Sequence, residues 1–359
     1  MNIAISTGGG DAPGLNAVIR AAVLGGLHRG YEVYGVQRGF GGLLEEGHVI
    51  RLGKNEVRGI THLGGTILGT TNRGNPFRWP QRQPDGTTTE LDRSDELIDR
   101  FRKLGFDALI MVGGDGSLRI AHDLFLKGFP VVGVPKTIDN DVGGTVITFG
   151  YDTAVSTATD AIDKVHSTAQ SHERVMIVEV MGRYAGFIAL NSGLAGSADV
   201  ILIPEIPYDI KAVCGKIQER EREGRHFSIV VVAEGAVPKG GGATVKEQAG
   251  VGTVERLGGV GERLAAEITQ RTGKETRSLT LGHLQRGGSP TTFDRLTALR
   301  FGAAAVRAVA EGKFGHMVAL APPSMITVPL AEVLETPKRV ALDSDTIQTA
   351  RDLGTCLGD

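Results

Sequence analysis

Two glycine-rich corners constrain the fold more than any other feature of this 359-residue sequence. In each corner, a short apolar run precedes the glycines and a segment of helical periodicity follows them. Asn2–Thr7 leads through residues 8–14 into one predicted helix, and residues 107–112 lead through residues 113–117 into another. Strands that alternate with helices in this way indicate βαβ units and a parallel sheet.

The alternation continues along the chain and indicates a second α/β unit. Further strands are predicted at residues 32–36, 129–134, 174–180, 199–203 and 227–233, and helices at 15–28, 118–127, 153–171, 184–194 and 210–223. We therefore predict an α/β protein with two doubly wound, Rossmann-like domains and an active site in the cleft between them. Residues 78–93 and 236–259 lack sustained periodicity, and we interpret them as surface insertions.

The charge balance limits the classes of ligand. With 39 basic and 41 acidic residues, the formal net charge is -2, which argues against general affinity for nucleic acid or an anionic membrane. Any anionic ligand must therefore be held by local basic groups. The amino terminus lacks a basic region followed by a long apolar stretch, so we expect a cytoplasmic protein. Cys214 and Cys356 lie far apart and indicate neither a disulfide framework nor a zinc site.

The glycine corners are candidate phosphate sites. Glycine lets backbone N–H groups approach an anion, and a helix N-terminus adds partial positive charge, although a tight turn in any Rossmann-like fold would have a similar sequence. Asp115 lies in the second corner, where it would repel phosphate unless a cation lay between them. We interpret Asp115 as a Mg²⁺ ligand, directly or through water, with an N-cap role as the alternative.

A second candidate site follows the strand predicted at 129–134. Asp139 and Asp141 are separated by one residue in segment 135–141, which begins with Pro135 and directly follows that strand, where α/β sheets bind ligands. One carboxylate could take a proton from a hydroxyl while the other orients that hydroxyl or assists the metal. The alternative interpretation is an Asn/Asp-rich turn.

Four arginines form a third, dispersed signal. Each begins or follows a predicted strand or lies in a glycine-rich turn: Arg174, Arg183, Arg277 and Arg286. A single arginine is more often a solvated surface charge. Together, in a chain without basic excess, the four favour a phosphorylated substrate that is held by charge-assisted hydrogen bonds.

Five motifs resemble those of the bacterial-type 6-phosphofructokinases, in the family's order. They lie at residues 9–17, 113–117, 136–141, 178–184 and 281–290, and the resemblance covers about residues 1–320. It implies Mg²⁺-dependent transfer of the γ-phosphoryl group of ATP to the 1-hydroxyl of fructose 6-phosphate, the committed step of glycolysis. Transfer would be direct and in line. It also implies a homodimer or homotetramer with shared active sites.

The resemblance further implies roles for single residues. Gly10 and Arg73 would contact the donor phosphates, Gly114, Gly116 and Ser117 would cradle the nucleotide, and Asp115 would serve Mg²⁺. Asp139 would be the general base, with Thr137 and Asp141 beside it, and Arg73 and Arg183 would assist the transfer. The sugar phosphate would be bound by Thr137, Ile138, Met181, Gly182, Arg183, Glu234, His283 and Arg286, and by Arg174 and Arg277 of a neighbouring subunit. Residues 1–151 and about 285–335 would form the nucleotide domain, and residues 152–284 and about 336–359 the sugar-phosphate domain.

Two positions bear on the choice of phosphoryl donor. Gly116 resembles the ATP-using branch of the family, whereas Lys136 resembles the pyrophosphate-using branch. We predict ATP, because a glycine at 116 leaves room for a nucleotide, with pyrophosphate as the alternative. Segment 69–74 is one residue longer than the family pattern, and we align Arg73 with its arginine.

Two other classes of protein fit the sequence less well. A nicotinamide-dependent oxidoreductase predicts G-x-G-x-x-G with an acidic residue about 20 positions later, which residues 8–14 do not match. A catalytically inactive sugar-phosphate sensor should have lost Asp115 or Asp139, and both are present.

Overall fold

A computed structural model describes residues 1–247 and 256–359. Its strands in these ranges are β1 (Asn2–Thr7), β2 (Glu32–Val36), β3 (Val49–Arg51), β4 (Trp79–Arg82), β5 (Thr88–Leu91), β6 (Ala108–Gly113), β7 (Val131–Pro135), β8 (Val175–Val180), β9 (Val200–Leu202), β10 (Ser228–Ala233), β11 (Val245–Glu247), β12 (Arg256–Leu257), β13 (Thr276–Thr280), β14 (His316–Ala321) and β15 (Ser324–Pro329).

The helices in the same ranges are α1 (Leu15–His28), α2 (Gly41–Leu44), α3 (Ser94–Lys103), α4 (Asp115–Leu126), α5 (Tyr151–His172), α6 (Phe187–Ala195), α7 (Ile210–Arg222), α8 (Val260–Thr272), α9 (Thr292–Ala310), α10 (Leu330–Glu335) and α11 (Asp345–Asp352). Short 3₁₀ turns span Pro76–Arg78 and Gly282–Arg286. None of the helices in the described ranges combines the length and the apolar character that crossing a bilayer requires.

The larger domain contains a seven-stranded sheet in the order β15-β14-β7-β6-β1-β2-β3. Its five central strands are parallel, and the two edge strands pair antiparallel. One face packs against α1 and α9 through residues such as Val18 and Phe301. The other face packs against α3, α4 and α10, with Phe101 and Leu118 in the core. Helices on both faces make this a doubly wound sheet.

The smaller domain contains a four-stranded parallel sheet in the order β13-β8-β10-β9. Along β10, Ile229 and Val231 face α5 and α6, whereas Val230 and Val232 face α7 and α8. A strand that is buried on both faces needs apolar residues at every position, which explains the continuous apolar run at 228–233. The prediction of two doubly wound α/β units is confirmed.

The chain returns to the first sheet after the second is complete. Helix α9 packs on α1, and β14 pairs with β7, so residues far apart in sequence complete the larger unit. Residues 345–352 then form α11, which packs beside α6 in the smaller unit. The predicted domain boundaries near residues 285 and 336 stay a prediction.

Several predicted bounds were wrong by one to three residues. Helix α4 begins at Asp115 instead of 118, with Gly114 in extended conformation as its N-cap. Asp115 is therefore the first helical residue, and the N-cap alternative is wrong. Helix α6 begins at Phe187 instead of 184, because the Glu205 carboxylate accepts the N–H of Gly186 at 3.1 Å and fixes the start of the helix there.

The two predicted insertions contain β-structure. In the first, β4 and β5 form an antiparallel hairpin whose turn holds Asp85, which accepts the Thr87 N–H at 2.9 Å. In the second, β11 pairs with β12, and residues 248–255 lie outside the described residues.

Candidate active site

A cavity of about 1350 Å³ lies where the carboxyl ends of the two parallel sheets face each other. Its walls come from residues that directly follow strands: Gly8 after β1, Gly114 after β6, Lys136 after β7, Met181 after β8 and Glu234 after β10. Main-chain and polar groups converge at such edges, which is where α/β sheets bind ligands. The geometry therefore selects this cavity as the candidate active site.

The first glycine corner is tightly packed. A Cβ atom at Gly10 would lie 2.9 Å from Nη1 of Arg286, and Gly9 has a φ of 77° that favours glycine. The loop after residue 69 lies against this corner, since Gly9 N–H donates to Thr71 O at 3.0 Å and Thr70 Oγ1 donates to Gly9 O at 2.6 Å. This loop brings the exposed side chain of Arg73 to the cavity.

The second corner is the N-terminus of α4. Gly114, Asp115, Gly116 and Ser117 all line the cavity. A Cβ atom at Gly116 would meet nothing within 4 Å, so this position is open. Asp115 is half-exposed, with Oδ1 3.7 Å from Nη2 of Arg119.

The Asp115 carboxylate fits a Mg²⁺ ion that is shared with phosphates. No group of three or more metal-ligating side chains occurs within residues 1–247 and 256–359. Mg²⁺ in phosphoryl-transfer sites is commonly held by one or two carboxylates plus substrate phosphates, so such a group is not required.

Asp139 lies in a loop that hydrogen bonds fix. Thr137 Oγ1 accepts the Asp139 N–H at 3.1 Å, and Thr148 Oγ1 donates to Thr137 O at 2.8 Å. Asn140 has a φ of 54°, and its side-chain oxygen accepts the Thr148 N–H at 3.1 Å. The loop thus holds Thr137 and Asp139 at the cavity wall.

The environment of Asp139 suits proton transfer. Its Oδ1 atom is buried and has no hydrogen-bond partner, although the residue lines the cavity. Burial and the nearby Asp141 raise the pKa of Asp139 to about 6, against the opposing effects of Arg286 and Lys136. A carboxylate with its pKa near the working pH is an effective general base.

Lys136 joins the first corner to the Asp139 loop. Its side chain is almost fully buried, and its ammonium group donates to Gly10 O. Burial, followed by the charge of Arg286, lowers the pKa of Lys136 to about 8. The lysine therefore contributes positive charge beside the first corner of the cavity.

The second domain supplies the opposite wall. It contributes Met181, Arg183, Glu234 and His283, and Arg286 lines the same cavity. Burial and the neighbouring Asp139 and Glu179 raise the pKa of Glu234 to about 7. Arg286 Nη1 donates to Asp11 O at 3.1 Å and so ties this wall to the first corner.

Five predicted site residues lie outside the cavity lining: Ile138, Asp141, Arg174, Gly182 and Arg277. The Ile138 side chain is fully buried in the apolar core, which leaves only its backbone for ligand contact. Gly182 packs behind the wall, where its carbonyl accepts the Gly235 N–H at 3.2 Å. Burial is also the main cause that raises the pKa of Asp141.

Arg174 and Arg277 lie together on an outer face. Both pair with Glu275, at 2.8 Å for Arg174 and 2.7 Å for Arg277. Arg277 lies on β13, the edge strand of the smaller sheet, where it is exposed and does not line the cavity of its own chain.

The sequence analysis missed Glu179. This residue is buried at the cavity wall, where Oε1 accepts the Gly259 N–H at 3.0 Å and Oε2 accepts the Gly261 N–H at 2.8 Å. It thereby fixes the N-terminus of α8. The available signal was an acidic residue inside the otherwise apolar run of β8, which a buried strand tolerates only with partners.

The hairpin of residues 79–91 was also missed as part of the site. Arg78, Pro80 and Glu90 line the cavity, and Trp79 packs against Gly41 and Gly74. The local sequence does not indicate that these residues line the cavity, because the hairpin reaches it only through contacts with segments that are distant in sequence.

Comparison with known proteins agrees with this geometry. The phosphofructokinase family model matches residues 2–309. The chain is 51% identical over 360 residues to ATP-dependent 6-phosphofructokinase 1 of Synechocystis sp., covering 99% of this chain and 98% of the relative. It is 49% identical over 344 residues to the pyrophosphate–fructose 6-phosphate 1-phosphotransferase of Streptomyces coelicolor, covering 95% and 96%.

Among solved structures, Pichia pastoris phosphofructokinase in the T-state superposes with a TM-score of 0.79 at 31% identity. The match covers 99% of this chain and 37% of the yeast chain. The family model, the relatives and the structural match all agree, and the chain belongs to the phosphofructokinase family.

Proposed function

We propose that this protein is an ATP-dependent 6-phosphofructokinase. It transfers the γ-phosphoryl group of ATP to the 1-hydroxyl of fructose 6-phosphate and forms fructose 1,6-bisphosphate and ADP. One observation carries the proposal: Asp139, a carboxylate with a buried and unpaired Oδ1, faces a cavity that also contains two glycine-rich phosphate corners. A glycolytic role would place the protein in the cytoplasm.

Asp139 acts as the general base. It takes the proton of the sugar 1-hydroxyl as that oxygen attacks the γ-phosphorus, and Thr137 keeps the Asp139 backbone in place through its 3.1 Å hydrogen bond. Asp141 lies outside the cavity lining, and its charge raises the pKa of Asp139. Transfer is direct, so catalysis consists of positioning and charge neutralisation.

Positive groups surround the place where charge develops. Arg73, Lys136, Arg183 and Arg286 all line the cavity, and Gly10, Gly114, Gly116 and Ser117 present the backbone corners. Asp115 would hold Mg²⁺, which would supply positive charge to neutralise the donor phosphates. The sugar phosphate contacts Met181, Arg183, Glu234, His283 and Arg286 on the opposite wall.

The donor choice depends on Gly116 and Lys136. The open position at Gly116 leaves space beside Asp115 for the α-phosphate and its nucleoside. Lys136 and the similarity to the Streptomyces coelicolor enzyme favour pyrophosphate as the second candidate. Lys136 is already engaged with Gly10 O, and a lysine near the transferred group also serves ATP, so Gly116 carries more weight.

Initial rates with fructose 6-phosphate and either ATP or pyrophosphate, in the presence of Mg²⁺, test the proposal. We expect kcat/KM for ATP to exceed that for pyrophosphate by at least about tenfold, and chelation of Mg²⁺ to abolish turnover. Equal values would contradict the donor choice. Absence of turnover with both donors would contradict the assignment as a kinase.

We also propose that the active site is shared between subunits of a homodimer or homotetramer. Arg174 and Arg277 lie on an outer face, and four large apolar side chains are exposed on the chain from β13 to the start of α9: Leu279, Leu284, Phe293 and Leu296. Exposed apolar groups beside outward arginines are typical of a protein interface. Through this face the two arginines would reach the 6-phosphate in the partner's cavity.

A further inference from the structure

The segment between α10 and α11 crosses from the larger to the smaller domain. We call residues 336–344 the strap. It leaves α10, which packs on the larger sheet, and leads to α11, which packs beside α6 in the smaller domain. The Val340 N–H donates to Glu205 Oε1 at 2.9 Å, and the same carboxylate holds the Gly186 N–H at the start of α6.

The strap packs backbone to backbone against the loop that carries Asp139. The Lys338 N–H donates to Asp141 O at 3.0 Å. A Cβ atom at Gly143 would lie 2.7 Å from Thr336 O and 2.9 Å from Val333 O. Real Cβ atoms do not approach backbone oxygens this closely, so only glycine permits the contact. The loop of residues 137–146, which carries Asp139 and which we call the catalytic loop, therefore packs on the strap.

The side chain of Lys338 joins three parts of the molecule. Its ammonium group donates to Thr145 O at 3.3 Å and to Val146 O, at the end of the catalytic loop. The same ammonium lies 5.3 Å from the ring centre of Phe187, the first residue of α6. A cation over an aromatic face is attracted to it. Lys338 thus links the loop to the smaller domain.

The end of the loop is fixed to the larger domain at the same place. Thr145 Oγ1 accepts the Leu320 N–H at 3.0 Å, and the Val146 N–H donates to Leu320 O at 3.1 Å, both on β14. Lys338 is half-buried, burial lowers its pKa to about 8, and the charge of Asp141 opposes that shift. The hydrogen bond from the Lys338 N–H to Asp141 O keeps the two residues beside each other.

We propose that Lys338 is a positioning residue for phosphoryl transfer, because its ammonium group holds the loop of residues 137–146 at the junction of the two domains. The inference rests on the proposed function. Lys338 lies behind the loop and outside the cavity lining, so it acts on substrate only through Asp139 and its neighbours. Its loss should therefore lower kcat and leave substrate binding nearly unchanged.

Three variants test this role. Lys338→Met keeps the length of the side chain and removes its charge, and Lys338→Arg keeps the charge. Arg339→Met removes a neighbouring, exposed charge from the same strap and serves as the control. We expect Lys338→Met to lower kcat by about 10- to 100-fold, with KM for both substrates within about threefold of wild type. Lys338→Arg should restore most of kcat, and Arg339→Met should match wild type within about twofold.

Amide hydrogen exchange across residues 137–146 gives a second readout that does not depend on turnover. Lys338→Met should speed amide exchange in this loop relative to Arg339→Met. The exchange rate of amides in the core of the larger sheet should be the same in both variants. A kcat within about twofold of wild type, or unchanged exchange in the loop, would overturn the inference. A wild-type enzyme without ATP-dependent turnover would refute the proposed function instead, and the exchange measurement would still decide the role of Lys338.

Discussion

At Asp139, competing electrostatic effects set the protonation state of the proposed base. Burial and Asp141 disfavour its charge, whereas Arg286 and Lys136 favour it, and the resulting pKa is about 6. A base works only when it is ionised, so protonation of Asp139 stops the reaction. Activity should therefore be present above this pKa and fall as the pH decreases through it.

The pH dependence of kcat tests this balance. We expect an acidic limb near pH 6 in the wild-type enzyme, the value set by Asp139. Lys136→Met removes a charge that favours the ionised form, so the limb should move to higher pH, whereas Lys136→Arg should leave it in place. Profiles measured from about pH 5 to 8 separate these outcomes. A limb that stays fixed in Lys136→Met would mean that another group controls it.

Gly116 provides a second test, directed at the donor. Gly116→Asp should fold normally, because the position is open and an acidic residue is favourable in the first turn of a helix. The new carboxylate would project beside Asp115 and repel the nucleotide phosphates. We expect kcat/KM for ATP to fall by at least about 10²-fold, since like charges placed together cost several kcal/mol.

Gly116→Ala is the control for size, and it should retain most of the activity with ATP. Steady-state rates with ATP and pyrophosphate decide the matter. A Gly116→Asp variant that keeps ATP turnover within about threefold of wild type would refute the idea that residue 116 filters the donor.

At the scale of helices and strands, the sequence predicted the parallel layers well. Apolar runs such as β10 are strands because they are buried on both faces, and that pattern is local. The start of α4 was predicted three residues late. Its first three residues, Asp115, Gly116 and Ser117, are helical but not apolar, so they do not extend the apolar periodicity from which the helix was predicted. The acidic residue inside β8 indicates that Glu179 needs buried partners, but the partners themselves could not be predicted, since they come from a distant segment. The same holds for the hairpin at Trp79, whose contacts are also with distant segments.

Helices α1 and α9 pack closely because α9 has a glycine, Gly302, where the two helices touch. A Cβ atom at Gly302 would lie 2.5 Å from Val18 O and 2.8 Å from the Ala21 Cβ. Gly302→Ala should therefore push the helices apart and lower the free energy of unfolding by about 1–3 kcal/mol. Chemical denaturation measures this loss.

The matched control is Gly215→Ala in α7, where an added Cβ meets nothing within 4 Å. That change should raise stability by about 0.4–1 kcal/mol, because alanine restricts the unfolded chain. If both variants lost the same stability, close helix packing at Gly302 would not be the cause.

At the scale of the whole molecule, one chain supplies a cavity but leaves two predicted substrate arginines outside it. Both domains contribute to the cavity through strand ends, which the sequence predicts from the position of its motifs. Arg174 and Arg277, held by Glu275 on the outer face, do not line the cavity of their own chain. If they bind the sugar phosphate, they do so in a neighbouring subunit.

Complementation between inactive variants tests that arrangement. Asp139→Ala alone should lower kcat by about 10²–10⁴-fold, and Arg174→Ala should be impaired through loss of the sugar phosphate. In a mixed dimer, one of the two sites would combine a wild-type Asp139 with the partner's wild-type Arg174. Random mixing of the co-expressed variants should therefore restore about a quarter of wild-type activity.

The control pairs Asp139→Ala with Arg183→Ala, because both residues line the cavity of one chain. Every site in that mixed dimer would lack either Asp139 or Arg183, so no activity should return. Rates are compared after co-expression, with the sum of the separate variants as the baseline. Recovery in the first pair but not in the second requires a site built across the subunit boundary. A mixed dimer can regain activity only if one complete site takes its residues from both chains. Activity of the first pair no greater than that baseline would place Arg174 outside the catalytic unit.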